Sequence, residues 1–365
     1  MRNAGQPDPA ELTSGGTAVV AVVPGEGAAP EAVAACLRVL EELDDGLVFA
    51  FPPVGESAEQ AFGSVFPEEA RRMIDEADAT LFGATSGPSG IALFYLRFGH
   101  ETYANVRPAR WMPGGRSPLA EPEGVDFVIV RENLEGLYAG LEGSLSDLAP
   151  LGHHHPLGGS VHERAGRYSL KIVTEDGCRR IATFAAATAA RRLAAGHRGL
   201  VTIGAKHNIL SSDGLFVDIC REVLTEAGIE HEENHIDNLA RRLVAEPHDL
   251  DVVLVPNLYG DILSDLAAGV IGGLGLMPSG CYGDGLAYFE PPHGTAPDLV
   301  GLGIINPTAQ LLSAAMMLEH LGRGGSAARL RSAVDAVYAD GKVLTPDQGG
   351  TARTDELAAA VIDHL

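Results

Sequence analysis

The sequence predicts an α/β fold, and three observations carry that prediction. Six short apolar runs have strand character, amphipathic helical segments fall between several of them, and 365 residues with 45% hydrophobic content can bury a sizeable core. This length favours two lobes over one small domain.

The elements follow in order. The first sixteen residues, MRNAGQPDPAELTSGG, carry Pro, Gly and acids but no apolar segment, and read as a loose tail rather than a secretory signal. TAVVAVVPGEG is a buried strand entering a Gly-rich turn, and PEAVAACLRVLEEL continues as an amphipathic helix opened by proline. GLVFAF, ATLFGAT, VDFVIV, GLVTIG and DVVLVP are further strands, with helices around 178–195 and 213–228. The final hundred residues are helix-rich, and NPTAQLLSAAMMLEHLG ends at a glycine as a helix terminus should. No internal repeat is visible. The turn GEGAAP invites a dinucleotide-binding reading, but Pro30 stands where a third glycine belongs. A strand-to-helix turn needing a flexible backbone explains it better.

Composition excludes several functions. The formal charge of -23, from 49 acids against 26 bases, repels nucleic acid and anionic membranes. No apolar run reaches the roughly 18 residues of a membrane span. Cys36, Cys178, Cys220 and Cys281 are isolated, which suggests neither a disulfide framework nor a zinc site and suits a reducing cytoplasm. His153, His154 and His155, set between two prolines, read as a solvated loop. RRLAAGHRG reads as a helix end whose basic residues complement the dipole.

The chemistry-bearing stretches lie elsewhere. NLYGDILSDLAAGV places Asp261 and Asp265 four apart in an otherwise buried helix. Side chains at that spacing share a face, about 5–6 Å apart at Cβ, so the two carboxylates repel unless an arginine, a lysine or a metal joins them. The alternative is that Asp261 caps the helix and Asp265 is solvated. Arg97, Arg107 and Arg131, in RFGHETYANVRP and VRENLEGLY, are expected in polar or loop contexts beside strands. Clustered, they would grip a di- or tricarboxylate bidentately; singly, each would suit a surface ion pair. Lys206 closes the apolar strand of IGAKHNIL, where burial or charge could tune it for proton transfer. Asp237 opens the helix of HIDNLARRLV and could complete a metal site. In EPPHGTAPDLVGLGIINPTAQ, His293, Gly294 and Thr295 offer polar groups and close backbone approach. Asp298 there could accept ribose hydroxyls and repel a 2′-phosphate, favouring NAD over NADP, although a solvated turn would also fit.

In their order and spacing, YANVRP, VRENLEGLY, NLYGDILSDLAAGVIGGLGLMPSG and HGTAPD resemble the β-decarboxylating dehydrogenases. That family comprises isocitrate, isopropylmalate, homoisocitrate and tartrate/D-malate dehydrogenases, and the resemblance runs from Thr17 to Leu365, nearest the homoisocitrate/isopropylmalate branch. It implies an isopropylmalate/isocitrate dehydrogenase-like α/β fold of two lobes without the common dinucleotide-binding crossover. Residues 17–103 with 257–365 would form the large cofactor lobe, and 104–256 a small lobe bearing a dimer interface. The same resemblance implies Arg97, Arg107 and Arg131 as ligands of the malate carboxylates, Tyr138 and Lys206 as catalytic groups, and Asp237, Asp261 and Asp265 as ligands of Mg²⁺ or Mn²⁺. His293, Gly294, Thr295, Ala296, Asp298 and Asn306 would form the NAD loop; NADP-using relatives carry Lys-Tyr where this chain has Asp298-Leu299. It further implies a homodimer in which Lys206 and Asp237 complete the partner's site. The reaction would be oxidative decarboxylation of a (2R,3S)-3-substituted malate, the alternative being a non-catalytic relative that keeps the fold and binds ligand.

The substituent on C3 stays open. SGIALFYLR lines that pocket in the family, and isocitrate enzymes place Ser and Asn where Ile91 and Leu93 stand, which disfavours isocitrate. Homoisocitrate enzymes can place arginine at the position of Phe94, yet YLR, YANVRP and TPDQGG resemble that branch. Ile91, Leu93 and Phe94 would pack an alkyl group and leave a buried anion unpaired. The sequence departs from relatives at Gly99, His100, Glu101 and Thr102. There His100 could reach an anionic substituent such as carboxyalkyl or phosphonomethyl, or lie on the surface.

Overall fold

A computed structural model describes residues 16–43, 46–152 and 159–365. The N-terminal tail up to residue 15 and the histidine run at 153–155 lie outside the described residues. Twelve strands are present among them: β1 (Ala18–Val23), β2 (Leu47–Ala50), β3 (Ala79–Phe82), β4 (Ala104–Arg110), β5 (Asp126–Glu132), β6 (Glu142–Ser144), β7 (Arg167–Ser169), β8 (Val201–Ala205), β9 (His231–His235), β10 (Val252–Val255), β11 (Gly280–Tyr282) and β12 (Ala287–Phe289). Ten of them form one sheet in the order β2-β1-β3-β12-β11-β4-β5-β10-β8-β9, and β6 pairs with β7 separately. All six expected strands are there; in β1, β3, β5, β8 and β10 the continuous apolar character reflects burial on both faces, whereas β2 is an edge strand with Val48 exposed. The order and the antiparallel pairs around β11 and β4 differ from the dinucleotide-binding sheet.

Helices cover the faces: α1 (Ala29–Glu42), α2 (Glu56–Phe62), α3 (Glu68–Asp75), α4 (Gly90–Phe94), α5 (Glu175–Ala194), α6 (Ser211–Glu226), α7 (Ile236–Ala245), α8 (Asn257–Ile271), α9 (Thr308–His320), α10 (Gly324–Asp340) and α11 (Thr354–Ile362). The main core joins both ends of the sheet, from Val20 and Leu81 to Val201 and Leu254, with α5, α6 and α9 packed against it. No helix among the described residues is long and apolar enough to cross a membrane.

Two details position the site. Arg107 lies within β4 and Arg131 within β5, rather than in the polar or loop contexts expected, because Val106 and Val130 alternate with them and bury the strands. Arg131 also pairs in register with Val255, the end of β10, which sets the start of α8 beside it. Gly260 permits the approach, since a Cβ there would stand 2.5 Å from Arg131 Cγ. The second detail is a π-helical turn, Tyr95–Gly99, that continues α4 and carries Arg97. Such widened turns recur at functional sites.

The GEGAAP turn uses its glycines as the sequence suggests. Gly25 and Gly27 both have positive φ, and a Cβ on either would meet a backbone oxygen, Ala84 O at 2.1 Å or Thr295 O at 2.3 Å. The turn is thereby pressed against the 293–299 loop.

Candidate active site

Three arginines converge from three elements. Arg97 gives Nε to the Asn133 carbonyl at 2.7 Å and Nη2 to Asn257 Oδ1 at 3.4 Å. Arg131, almost wholly buried, gives Nε and Nη2 to the same Asn257 oxygen and Nη1 to Asp261 Oδ1 at 2.5 Å. Arg107 gives Nη1 to Ser264 Oγ at 2.5 Å and lies 3.5 Å from Asp261 and 3.9 Å from Asp265. Burial and the neighbouring Arg107 cation lower Arg131 to about 10, while Asp261 opposes them. Arg107 Nε is buried with no partner. A cluster of repelling guanidiniums with an unspent donor is suited to an anionic ligand.

Asp261 lies in the second turn of α8 and so does not cap it. Asp261 and Asp265 do share a face, and the cations beside them are Arg107 and Arg131. Burial raises the Asp265 carboxyl; Arg107 counters this, and Asp261 adds to it. The pair thus retains mutual repulsion that a dication would relieve. Tyr138, on a short 3-10 turn after Gly136, donates its hydroxyl to Asp261 Oδ2 at 3.1 Å, and Arg131 lies over its ring at 5.7 Å. Burial, the Asp261 charge and this hydrogen bond raise the Tyr138 pKa above its usual value.

Lys206 and Asp237 form a second cluster. Lys206 follows β8, Asp237 opens α7, and Nζ lies 2.6 Å from Asp237 Oδ1. This bond to Lys206 lowers the Asp237 pKa. Among the described residues of one chain, no hydrogen bond or ion pair joins the pair to Asp261 or Asp265, and no three acids, histidines or cysteines gather as a metal site. A single chain therefore brings together Arg97, Arg107, Arg131, Tyr138, Asp261 and Asp265, and holds Lys206 and Asp237 apart from them.

The third cluster is the 293–299 loop. His293 bonds the Gly294 carbonyl through Nδ1, and its Nε2 is buried without a partner. Space around Gly294 is open, Ala296 adopts a left-handed φ of 45°, and Asp298 is exposed. These groups fit a polar, close-lying ligand such as a nucleotide. Asn306 is turned inward, its amide on Tyr338 and Asp347 and its oxygen on Thr308 N.

On α4 and the π-turn that follows it, Ile91, Phe94 and Phe98 are exposed, with Phe94 and Phe98 stacked at 5.9 Å. Leu93 packs partly buried in the small core under the π-turn. His100 Nε2 is 2.9 Å from Asp75 on α3, whose carboxylate also accepts the Tyr95 hydroxyl.

Two residues passed over in the sequence are central here. Asn257 follows Pro256 at the head of α8 and joins Arg97 to Arg131. Glu26, the middle residue of GEG, accepts from Thr85 Oγ1 at 2.5 Å, Ser86 N at 3.2 Å and Ser89 N at 2.7 Å. Burial pushes its pKa up, but these bonds win and lower it. A glutamate between two left-handed glycines was the available signal.

Known proteins share the sequence and fold on which these groups lie. The family model described as isocitrate/isopropylmalate dehydrogenase matches residues 19–361. The chain is 42% identical over 355 residues to an isocitrate/homoisocitrate dehydrogenase of Thermus thermophilus, covering 95% of this chain and 98% of that one. It is 38% identical over 348 residues to the 3-isopropylmalate/3-methylmalate dehydrogenase of Methanocaldococcus jannaschii, covering 95% and 98%. The crystal structure of isocitrate dehydrogenase from Methylococcus capsulatus superposes with a TM-score of 0.83 at 35% identity, over 95% of this chain and 99% of the other. With arginines, paired acids and tyrosine assembled on that fold, the chain belongs to the isocitrate/isopropylmalate dehydrogenase family of β-decarboxylating dehydrogenases.

Proposed function

We propose that the protein catalyses the NAD- and metal-dependent oxidative decarboxylation of a (2R,3S)-3-substituted malate to a 2-keto acid and CO₂. The observation that carries this reading is the convergence of Arg97, Arg107 and Arg131 beside Tyr138, with the Arg107 Nε donor unspent. Guanidinium forks would hold the malate carboxylates and turn C2 toward the 293–299 loop. Lys206 accepts the proton of the C2 hydroxyl, directly or through a water, and Tyr138 supplies a proton to C3 after CO₂ leaves.

Asp261 and Asp265, with Asp237 of the partner subunit, would hold Mg²⁺ or Mn²⁺, since three carboxylates suit a hard cation. Bound there, such a cation would supply Lewis-acid polarisation for the oxidation and decarboxylation, and NAD⁺ would be the hydride acceptor. His293, Gly294, Thr295, Ala296 and Asp298 would receive the cofactor, and the exposed Asp298 carboxylate favours NAD over NADP. Asn306 would contribute from the inner wall of that loop.

The separation of Lys206 and Asp237 from Asp261 supports a homodimer in which each chain completes the other's site. Ile209, three residues after Lys206, is 71% exposed and would be covered by such a partner. The lobes would be 17–103 with 257–365, and 104–256. Four buried free cysteines suit a cytoplasmic setting.

Ile91, Phe94 and Phe98 offer the C3 substituent an apolar, partly aromatic face, and His100 is spent on Asp75. This supports an apolar substituent, as in isopropylmalate, over a carboxylate or phosphonate. The test is NADH formation with Mg²⁺ or Mn²⁺ across 3-isopropylmalate, homoisocitrate, isocitrate, 3-phosphonomethylmalate, D-malate and tartrate. Turnover of the alkyl members first is expected. Silence with every member would leave a ligand-binding relative instead.

A further inference from the structure

Asp213 is fully buried in the first turn of α6, and its carboxylate is the meeting point of three separate segments. Oδ1 is paired with Lys171 Nζ, and Oδ2 accepts the Tyr259 hydroxyl and the backbone N–H of Lys206, each at 2.9 Å. The Lys171 ammonium also lies 4.7 Å over the Tyr259 ring.

Each partner leads to a piece of the proposed chemistry. Lys206 is the proton acceptor itself, and its main chain is the part Asp213 grips. Tyr259 sits on α8 two residues before Asp261. Lys171 precedes Ile172, which exchanges both backbone hydrogen bonds with Gly136, two residues before Tyr138. A carboxylate near a helix start often serves only the helix, by bonding the N–H groups of its own first turn. Asp213 instead reaches back beyond the Leu210 cap to Lys206, where the strand has ended and a turn closed by Ile209 N and Leu210 N begins. Without that acceptor, the main chain at Lys206 would be held only by the turn's own bonds, and the Asp237 contact alone would fix Nζ from its far end.

We infer that Asp213 is a positioning residue for Lys206, with Lys171 and Tyr259 holding its carboxylate in the orientation that does so. The inference rests on the reading of Lys206 as the proton acceptor. It requires an acceptor at residue 213, and not merely a balanced charge, which separates two charge-neutral pairs. In Asp213→Asn with Lys171→Gln, the asparagine oxygen can still accept from Lys206 N and Tyr259, and the glutamine oxygen can accept from its amide. In Asp213→Ala with Lys171→Met, no acceptor remains.

The experiment compares both pairs with Lys206→Met and the wild type, using whichever of the six malates above the wild type turns over fastest. Thermal unfolding and circular dichroism establish that each variant is folded. The Ala/Met pair is expected to lose kcat at least about tenfold, with KM for the acid within about threefold. The Asn/Gln pair is expected to recover most of the kcat. Wild-type kcat in a folded Ala/Met pair would overturn the inference. So would a folded Asn/Gln pair no better than a folded Ala/Met pair, or, where Ala/Met does not fold, a folded Asn/Gln pair at least about tenfold below the wild type in kcat. Full activity in Lys206→Met would instead overturn the role given to the lysine, a distinct failure.

Discussion

Asn257 Oδ1 lies 3.2 Å from Nε and 2.8 Å from Nη2 of Arg131, so one buried amide fixes the plane of one guanidinium from its side. The same oxygen accepts from Arg97, and the Asn257 amide is fixed in turn on the Glu135 carbonyl at 2.9 Å. Asn257→Ala leaves two cations without this acceptor, each at a cost of about 1–3 kcal/mol. Steady-state kinetics should show kcat/KM for the acid lowered roughly 10- to 100-fold, chiefly through KM, with KM for NAD little changed. An unaltered KM for the acid would mean that strand packing alone places the arginines.

Phe94 is 62% exposed and stacks on Phe98, and the Arg97 guanidinium 5.5 Å over the Phe98 ring is already bonded to Asn133 and Asn257. Phe94→Arg is expected to move preference from 3-isopropylmalate toward homoisocitrate by about 1–3 kcal/mol in relative kcat/KM. Competition assays with both acids measure it directly.

At the proposed cofactor loop, Asp298 is exposed beside Leu299 and carries no ion pair among the described residues. Replacing the two by Lys and Tyr is expected to raise kcat/KM for NADP relative to NAD by roughly tenfold or more, because a cation replaces a repelling carboxylate. Fluorescence titration with each reduced cofactor should give the same order.

Burial raises the Glu290 carboxyl from 4.5 to about 7, although Arg107, Arg97 and Arg131 pull against it. The folded protein therefore holds this proton more tightly than the unfolded chain. The resulting stability is full below about pH 4.5 and is lost as pH climbs toward about 7. Glu290→Gln removes the dependence. Its stability relative to wild type should rise between about pH 5 and about pH 8 by on the order of 1–3 kcal/mol, read from denaturant midpoints at each pH. A constant difference across that range would show the carboxyl ionised throughout.

Much of the scaffold was legible because buried parallel strands announce themselves: Val252–Val255 and Val201–Ala205 are apolar without interruption. Edge strand β9, HEENH, gives no such signal; its polar side chains are used laterally, Glu232 on Thr202 and Arg242, Glu233 on Arg221. The arginines were recognisable as a set, but their strand contexts were not, since a buried guanidinium in a strand looks like a polar interruption until Asn257 and Ser264 are seen beside it. His100 was ambiguous because its partner, Asp75, lies on another helix and 25 residues away. Glu26 was hidden for the same reason, its partners at Thr85, Ser86 and Ser89 being distant in the chain.

The widened turn at Tyr95–Gly99 separates two jobs along one short stretch. Upstream of it, residues 91–94 sit on an ordinary helical repeat; within it, Arg97 is anchored to Asn133 and Asn257. If residues 91–94 meet the substituent as proposed, they can be rewritten to suit a new nutrient without disturbing the anchor. Removing one residue from the turn would undo that independence by swinging the anchored side chain about 100° around the axis.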